Sequence, residues 1–225
     1  MDEARALLYP FLEDVEDTHL QVYRDTKNNP TIGTGFNLDA PGAEEHLTPL
    51  KLSKEKLMGG HVITPEEARR LMDQKVHENE KLFSSMQKNY FPTTKLNPAQ
   101  QAALLSMMYN NPSLIGPQMR EHLNQNDTPA VIKEIMLRSN KAKDPGILKR
   151  RIQEAELYGG PVDFNTTIKS MDPEELAEIK SIMSSMTNQN ELTRLQEKYP
   201  FLKEERQPAG LPVNFNKLLR GFNGR

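Results

Sequence analysis

Three side chains near the N-terminus have the types and the spacing that the cutting of a glycosidic bond requires. Asp25 follows Glu16 after eight intervening residues, and Thr31 comes after five more. Glycoside hydrolysis needs one carboxyl group that gives a proton to the leaving oxygen, and a second that stays ionised to position water or stabilise the transition state. A Glu and an Asp at this spacing also arise often by chance, so the spacing alone is a weak signal.

The sequence around these acids predicts two different environments. Glu16 follows the apolar-periodic residues 4–15 and is expected at a helix end beside packed apolar surface, which favours the protonated carboxyl. Asp25 follows an alternating apolar run and precedes the turn-rich residues 26–30, which predicts the exposed end of a hairpin strand.

Residues 31–38 are predicted to form the return strand of that hairpin. Thr31 opens this strand and is expected to face the same cleft as Asp25. Gly33 and Gly35 leave the backbone bare where a ligand could approach closely. We therefore predict substrate contacts at Gly33 and Gly35, and at Phe36 beside them.

The segment resembles the phage-type lysozymes, the muramidases of glycoside hydrolase family 24. The positions in register with the family pattern are Glu16, Leu20, Tyr23, Asp25, Thr31, Ile32, Gly33 and Gly35. Three positions depart from the family pattern. Asp17 stands where the family usually has Gly, Thr34 where Tyr is frequent, and Phe36 where His is frequent. The resemblance implies that Glu16 is the general acid, and that Asp25 with Thr31 holds and activates water on the opposite face of the sugar. That scheme implies an inverting enzyme.

Two later segments extend the resemblance, which covers residues 3 to about 160. Residues 106–112, SMMYNNP, are similar to the family pattern Ser-Phe-x-Phe-Asn-x-Gly, with Pro112 replacing Gly. This predicts that Asn110 contacts sugar or closes a helix end. Residues 146–154 are similar to the family's Gly-Leu-x-Arg-Arg-Arg-x-x-Glu. Their basic run either faces the substrate or, as we favour, forms a helix face paired with acids such as Glu154.

Four helices are predicted by a capping residue followed by Pro, at Thr64, Asn97, Thr128 and Asp172. The first should be long, and by resemblance it joins two lobes along the floor of a cleft. The second is apolar on several faces and should be the buried centre of the larger lobe. The expected fold class is α+β and mainly α, a lysozyme-like fold with a small β-hairpin lobe, a larger helical lobe and a helical C-terminal extension.

Composition excludes several classes of protein. A net charge of −2 and a pI near 6.2 give no support to nucleic-acid binding or electrostatic membrane adhesion. No stretch approaches the roughly 20 apolar residues that span a bilayer, and there is no Cys to form a disulfide. His46 and His61 lack the spacing of metal ligands, so we predict neither a metal nor a cofactor.

The acidic, amphipathic N-terminus does not resemble a secretory signal. An enzyme that cuts the cell wall would then need another route. It would pass from the host cytoplasm to the wall or periplasm after release, or it would be carried in a virus particle. We divide the chain into a lysozyme-like catalytic domain, residues 1–160, and an extension, residues 161–225. The extension is predicted to hold an amphipathic helix at residues 172–186, a second helix at residues 191–202 that Pro200 cuts short, and an extended tail. The stripe of Leu176, Ile179, Ile182, Met183 and Met186 must be buried. Either this stripe packs on the larger lobe, or residues 172–219 dock on a virion protein or on a second copy of this chain.

The predicted reaction is hydrolysis of the β-1,4 bond between N-acetylmuramic acid and N-acetylglucosamine in peptidoglycan, a substrate implied by the resemblance alone. Two alternatives remain at this stage. A lytic transglycosylase keeps a catalytic Glu but needs no Asp and Thr in register. A catalytically inactive virion protein that binds peptidoglycan is the other.

Overall fold

The computed structural model describes residues 1–25, 28–138 and 143–203. These residues form three strands, β1 (His19–Arg24), β2 (Pro30–Gly33) and β3 (Phe36–Asn37). They also form ten helices: α1 (Asp2–Val15), α2 (Ala43–Leu47), α3 (Lys54–Met58), α4 (Pro65–Tyr90), α5 (Pro98–Asn110), α6 (Pro117–Asn124), α7 (Thr128–Lys133), α8 (Pro145–Lys169), α9 (Pro173–Ser184) and α10 (Gln189–Lys198). The prediction of a mainly helical α+β fold is confirmed.

The small lobe carries a three-stranded antiparallel sheet in the order β1-β2-β3, where a two-stranded hairpin was predicted. Thr31 on β2 pairs with Tyr23 on β1, and Ile32 pairs with Phe36 on β3. The predicted return strand at residues 31–38 is therefore broken in the middle. Gly33 and Gly35 have φ angles of +62° and +75°, which reverse the chain within residues 33–36.

Helix α4 contributes side chains to two separate apolar cores, one in each lobe. In the first turns of α4, Ala68 and Leu71 pack into the small-lobe core, around Ile32 and Leu47. Further along the same helix, the buried side chains belong to the large-lobe core, which is built mainly by α5, α7 and α8. Helix α4 therefore joins the two lobes, as the resemblance implied.

The predicted capping residues begin their helices in three of the four cases. The Thr64 hydroxyl accepts from the Glu67 N–H at 3.1 Å, and the Glu67 carboxylate accepts from the Thr64 N–H at 2.8 Å. Asn97 and Asp172 cap α5 and α9 in the same way. Helix α7 differs, because its cap is Asp127, one residue before the predicted Thr128. Its carboxylate accepts from the Ala130 N–H at 3.0 Å, and Asp is the better cap of the two.

The C-terminal helices pack on the large-lobe core. Helix α8 is broken at Gly160, where φ is +63° and ψ is 175°, so residues 161–169 leave in a new direction. In α9, Ile179 and Met183 are buried in the same core as the residues of α5. The predicted apolar stripe is thus covered by this chain's own large lobe.

The predicted tail lies outside the described residues from position 204 onward, so part of the predicted docking segment 172–219 does too. No helix in the described part of the chain is long and apolar enough to cross a bilayer.

Candidate active site

Glu16 is the first residue after helix α1, and its backbone is extended with φ −116° and ψ 124°. The Glu16 N–H makes the last helical hydrogen bond, to the Leu12 carbonyl at 2.9 Å, and the extended backbone of Glu16 ends the helix there. Its side chain is 22% exposed. Gly35 comes so close that a Cβ atom there would lie 3.7 Å from Glu16 Oε2. The turn between β2 and β3 therefore passes beside the carboxyl group, at a distance that one methyl group would fill.

The Glu16 carboxylate is paired with a guanidinium group, where the sequence predicted apolar surface. Arg150 on α8 donates from Nη1 to Glu16 Oε1. The same guanidinium donates from Nε to Glu154 Oε1 at 3.0 Å and from Nη2 to the Ser106 carbonyl at 3.0 Å. The side chains of Arg150 and Glu154 are 9% and 0% exposed. A buried network thus supports Glu16 from the large lobe. It contains the predicted pairing of the basic run with Glu154, and it also places Arg150 beside Glu16.

Asn110 lies at the edge of this network. It is the last residue of α5, and its Oδ1 accepts from Arg151 Nη2 at 2.7 Å. Arg151 also donates to Glu154. The helix is closed by the next residue, Asn111, which is extended at φ −161°, so Asn110 does not occupy the capping position that the sequence offered as one alternative. Asn110 itself is exposed to solvent.

Asp25 and Thr31 are both tied to one residue of the β1–β2 connection. The Asp25 carboxylate accepts from the backbone N–H of Asn29 at 2.7 Å and from its side-chain amide at 3.0 Å. The Thr31 hydroxyl donates to the Asn29 carbonyl at 3.2 Å, and Thr31 is 3% exposed. The structure thus brings Asp25 and Thr31 together at the end of the hairpin.

Tyr23 is a neighbour of Thr31 in the sheet. Its phenol is half-buried on β1, directly across from Thr31. Burial raises the pKa of Tyr23, and the negative charges of Glu16, Asp25 and Asp17 raise it further. The phenol of Tyr23 is therefore a neutral hydrogen-bonding group at neutral pH.

The other predicted contact residues point into the small lobe. At Gly33 a Cβ atom would make only an ordinary contact with Ala68 of α4, at 3.6 Å, so the positive φ of +62° is what favours glycine there. Phe36 is 7% exposed and packs edge-on against His46, with ring centroids 5.9 Å apart. His46 also contacts the Glu78 carboxylate at 3.0 Å. Of the three, Gly35 is the one that lies beside the catalytic candidate Glu16.

Two residues hold the turn next to Glu16, although the sequence pattern assigned neither of them a functional role. Tyr109 of α5 donates its hydroxyl to the Thr34 carbonyl at 2.5 Å. Lys75 of α4 donates to the Gly35 carbonyl at 3.4 Å, and its Nζ lies 4.0 Å from the centre of the Tyr109 ring. Burial lowers the pKa of Lys75 to about 8, although Glu16 acts to raise it.

A crevice of about 380 Å³ opens nearby, between the end of α1 and the start of α4. Glu13, Thr18, Thr34 and Arg69 are among the residues that line it, and Glu16 is not. Over residues 1–25, 28–138 and 143–203, no group of three His, Asp or Glu side chains has the arrangement of a metal site.

Comparison with known proteins gives a family and a fold. The family model described as phage lysozyme matches residues 13–154. Among solved structures, a mutant of P22 lysozyme is 26% identical to this chain, with a TM-score of 0.50, over 66% of this chain and 92% of that one. A search of curated proteins found no match to the sequence.

Two further solved structures are similar. The muramidase domain of SpmX from Asticaccaulis excentricus is 15% identical with a TM-score of 0.48, over 68% of this chain and 94% of that one. An endolysin from the Escherichia coli O157:H7 phage FAHEc1 is 19% identical with a TM-score of 0.49, over 66% and 88% of the two chains.

Proposed function

Because this chain belongs to the phage lysozyme family and is thus a peptidoglycan hydrolase, we propose that it cleaves the β-1,4 bond between N-acetylmuramic acid and N-acetylglucosamine. The observation that carries the proposal is that strand β2 links the two parts of the proposed site. The cluster of Asp25 and Thr31 around Asn29 lies at its start, and the turn at Gly35 that lies beside Glu16 follows its end. Two carboxyls on either side of a glycosidic oxygen are what this reaction requires.

Glu16 is the proposed general acid, which protonates the leaving oxygen as the glycosidic bond breaks. Proton transfer leaves a carboxylate, and the charge-assisted hydrogen bond from Arg150 stabilises that product. Arg150 is itself fixed by Glu154 and Ser106, so the stabilising charge is in place before the reaction begins.

Asp25 and Thr31 are the proposed holders of the attacking water. The Thr31 hydroxyl gives its hydrogen to the Asn29 carbonyl, which leaves the hydroxyl oxygen free to accept a hydrogen bond. The ionised Asp25 carboxylate is also an acceptor. A water that donates one hydrogen to each oxygen presents its lone pair to the anomeric carbon, and Asp25 takes up the proton as the new bond forms. Attack by this water on the face opposite the leaving group inverts the configuration.

The substrate contacts proposed beside these residues are Gly35, on the turn that passes beside Glu16, and the exposed residue Asn110. Gly33 and Phe36 then act through the small lobe that carries this turn. We also propose that residues 1–160 hold the bond-cleaving machinery, since every proposed catalytic residue lies before Gly160, and that residues 161–225 form an extension. The enzyme acts on the wall of a host cell, either at lysis or as a component of a virus particle.

The proposal is tested with Glu16→Gln, which keeps the shape of the side chain and removes its acidic proton. We expect the release of reducing ends from purified peptidoglycan to fall by about a hundred- to ten-thousandfold, the usual worth of general acid catalysis. Circular dichroism should remain that of the wild type. Glu13→Gln is the matched control, because Glu13 lies one turn earlier on α1 in an exposed pair with Arg69. Activity of Glu16→Gln within threefold of the wild type sinks the assignment.

The products decide between reaction types. A hydrolase releases reducing muramic acid ends, and nuclear magnetic resonance of the fresh product should show the α-anomer if the configuration is inverted. Anhydro-muramic ends would instead show a lytic transglycosylase. Binding to peptidoglycan without any bond cleavage would show an inactive binding protein.

A further inference from the structure

The turn formed by residues 33–36, which we call the Gly35 turn, is held by two helices of the core. Its Thr34 carbonyl accepts from the Tyr109 hydroxyl, and its Gly35 carbonyl accepts from the Lys75 ammonium at 3.4 Å. On its other side, Gly35 lies against the Glu16 carboxyl. Lys75 is thus separated from the proposed general acid by a single residue.

Lys75 is an unusual choice for this position. Lys75 is half-buried, and its ammonium lies 4.0 Å from the centre of the Tyr109 ring, a distance at which a cation is attracted to the aromatic face. A buried cation destabilises the fold unless it is compensated, and its proton is correspondingly weakly held, with a pKa of about 8. An apolar side chain would fill the same space at less cost.

The charged groups that act on Lys75 come from two elements of the site. Glu16 at the end of α1 favours the charged ammonium, and Arg150 on α8 opposes it. The Tyr109 phenol on α5 is neutral at neutral pH, since burial raises its pKa. Lys75 and Arg150 therefore place two positive charges about one carboxylate.

Building on the hydrolysis proposed above, we propose that Lys75 is a positioning residue for the general acid. Its hydrogen bond holds the Gly35 turn against Glu16, and its charge, together with that of Arg150, stabilises the carboxylate that proton transfer leaves. Lys75 does not touch the sugar, so its effect falls on the rate of bond cleavage rather than on substrate binding.

Lys75→Met tests this role, because Met has nearly the length of Lys and no charge. Activity on the alkaline side falls when the general acid loses its proton. Since removal of a nearby positive charge makes a carboxylic acid weaker, we expect this limb of the pH profile to move upward by about one pH unit. We expect kcat at pH 7 to fall about tenfold, with KM within twofold of the wild type.

Two further variants separate the charge from the packing. Lys75→Arg retains a cation and a donor, so it should restore the position of the alkaline limb. Lys81→Met removes an exposed lysine of the same helix and should leave both kcat and the limb unchanged. If the alkaline limb of the pH profile lies at the same pH in Lys75→Met and in the wild type, the proposal is overturned, whatever the change in kcat.

A titration supplies a readout that does not depend on turnover. The ammonium of Lys75, followed by nuclear magnetic resonance of selectively labelled protein, should titrate near pH 8 in the wild type and at lower pH in Glu16→Gln, because the carboxylate raises the pKa of the lysine. An unchanged titration in Glu16→Gln also overturns the proposal. If the wild type releases no reducing ends at any pH, the hydrolysis fails, and the titration still decides whether Lys75 and Glu16 are coupled.

Discussion

Asn29 organises the two groups proposed to hold the attacking water. It donates both its backbone N–H and its side-chain amide to Asp25, and its carbonyl accepts from Thr31. The carboxylate and the hydroxyl are therefore ordered before substrate arrives. Such ordering lowers the barrier because the entropy of placing the reacting groups is lost in folding rather than in the reaction.

This geometry predicts unequal losses at Asp25 and Thr31. Asp25→Asn should lower kcat by at least a hundredfold, because the amide cannot accept the proton of the water. Thr31→Ala should cost only about two- to tenfold, the worth of a neutral hydrogen bond of about 0.5 to 1.5 kcal/mol. Thr31→Ser keeps the hydroxyl and should remain near the wild type. The rate of reducing-end release measures each variant.

The double variant decides whether the two groups act on one water. If they do, Thr31→Ala should lose most of its effect once Asp25→Asn is present, since the water is no longer activated. Strictly additive losses in the double-mutant cycle would contradict the shared water.

At the scale of elements, the break in α8 sets the direction of residues 161–169. Gly160 adopts φ +63° and ψ 175°, a conformation that is essentially restricted to glycine. Its neighbour Gly159 is helical, but a Cβ atom there would lie 2.5 Å from Ile132 Cδ1 on α7. Adjacent glycines therefore serve different purposes, since Gly160 permits the break and Gly159 permits close packing of α8 on α7.

Substitutions of the two glycines should be distinguishable by a second mutation. Gly160→Ala should lower the free energy of unfolding by about 1 to 3 kcal/mol through backbone strain, although the space around it is open. Gly159→Ala should cost a similar amount through overpacking, and Ile132→Val should reduce that cost by removing Cδ1. The cost of Gly160→Ala should be the same in both backgrounds. Urea unfolding measures all of these, and a stabilised Gly160→Ala variant would contradict the observed break.

Features that depend on neighbouring residues in the chain could be predicted from the sequence, whereas features that depend on long-range contacts could not. The capping residues Thr64, Asn97 and Asp172 determine helix starts within three or four residues of chain, so sequence predicts them. The pairing of Arg150 with Glu16 joins residues 134 positions apart, and no local pattern contains it. The contact of Lys75 with the Gly35 turn is equally remote, since it depends on how α4 packs on the sheet.

At the scale of the whole molecule, the extension is part of the large-lobe core. Among residues 161–203, the side chains buried in that core are Phe164, Ile168, Met171, Ile179, Met183, Met186, Leu192, Leu195, Tyr199 and Leu202. Tyr199 also donates its hydroxyl to Glu156 of α8 at 2.6 Å. The proposed catalytic unit and its extension therefore share one apolar interior.

Truncation after Gly160 should destabilise the protein strongly. Burial of one large apolar side chain is worth about 1.5 to 3 kcal/mol, and 1 kcal/mol shifts the melting temperature of a chain of this size by about 2 to 4 °C. We expect aggregation or a fall in melting temperature of more than about 10 °C. Truncation after Lys203 is the control and should melt near the wild type, because it leaves the described core whole. A stable fragment of residues 1–160 would contradict the shared core.

The stability of the whole molecule should also depend on the charge of Lys75. Its pKa is lowered from 10.5 to about 8 on folding, so between these values the unfolded chain binds more protons. The free energy of unfolding therefore gains as pH rises from 8 to 10.5, by at most about 3 kcal/mol. Lys75→Met has no ammonium group and therefore no such gain. We expect this variant to be more stable than the wild type at pH 7, and we expect the difference in free energy of unfolding to be smaller at pH 10. Thermal melts across this range measure the difference, and a constant difference would contradict it.

The ion pair between Glu16 and Arg150 also has a consequence for when the enzyme becomes competent. During synthesis the glutamate emerges early and its guanidinium partner 134 residues later. A growing chain therefore carries the acid without the charge that supports it, and without the helix on which that charge is mounted. Contacts between such distant residues form late in folding, since the intervening chain must first be ordered. The ion pair at the proposed site therefore cannot form until about two-thirds of the chain has been made.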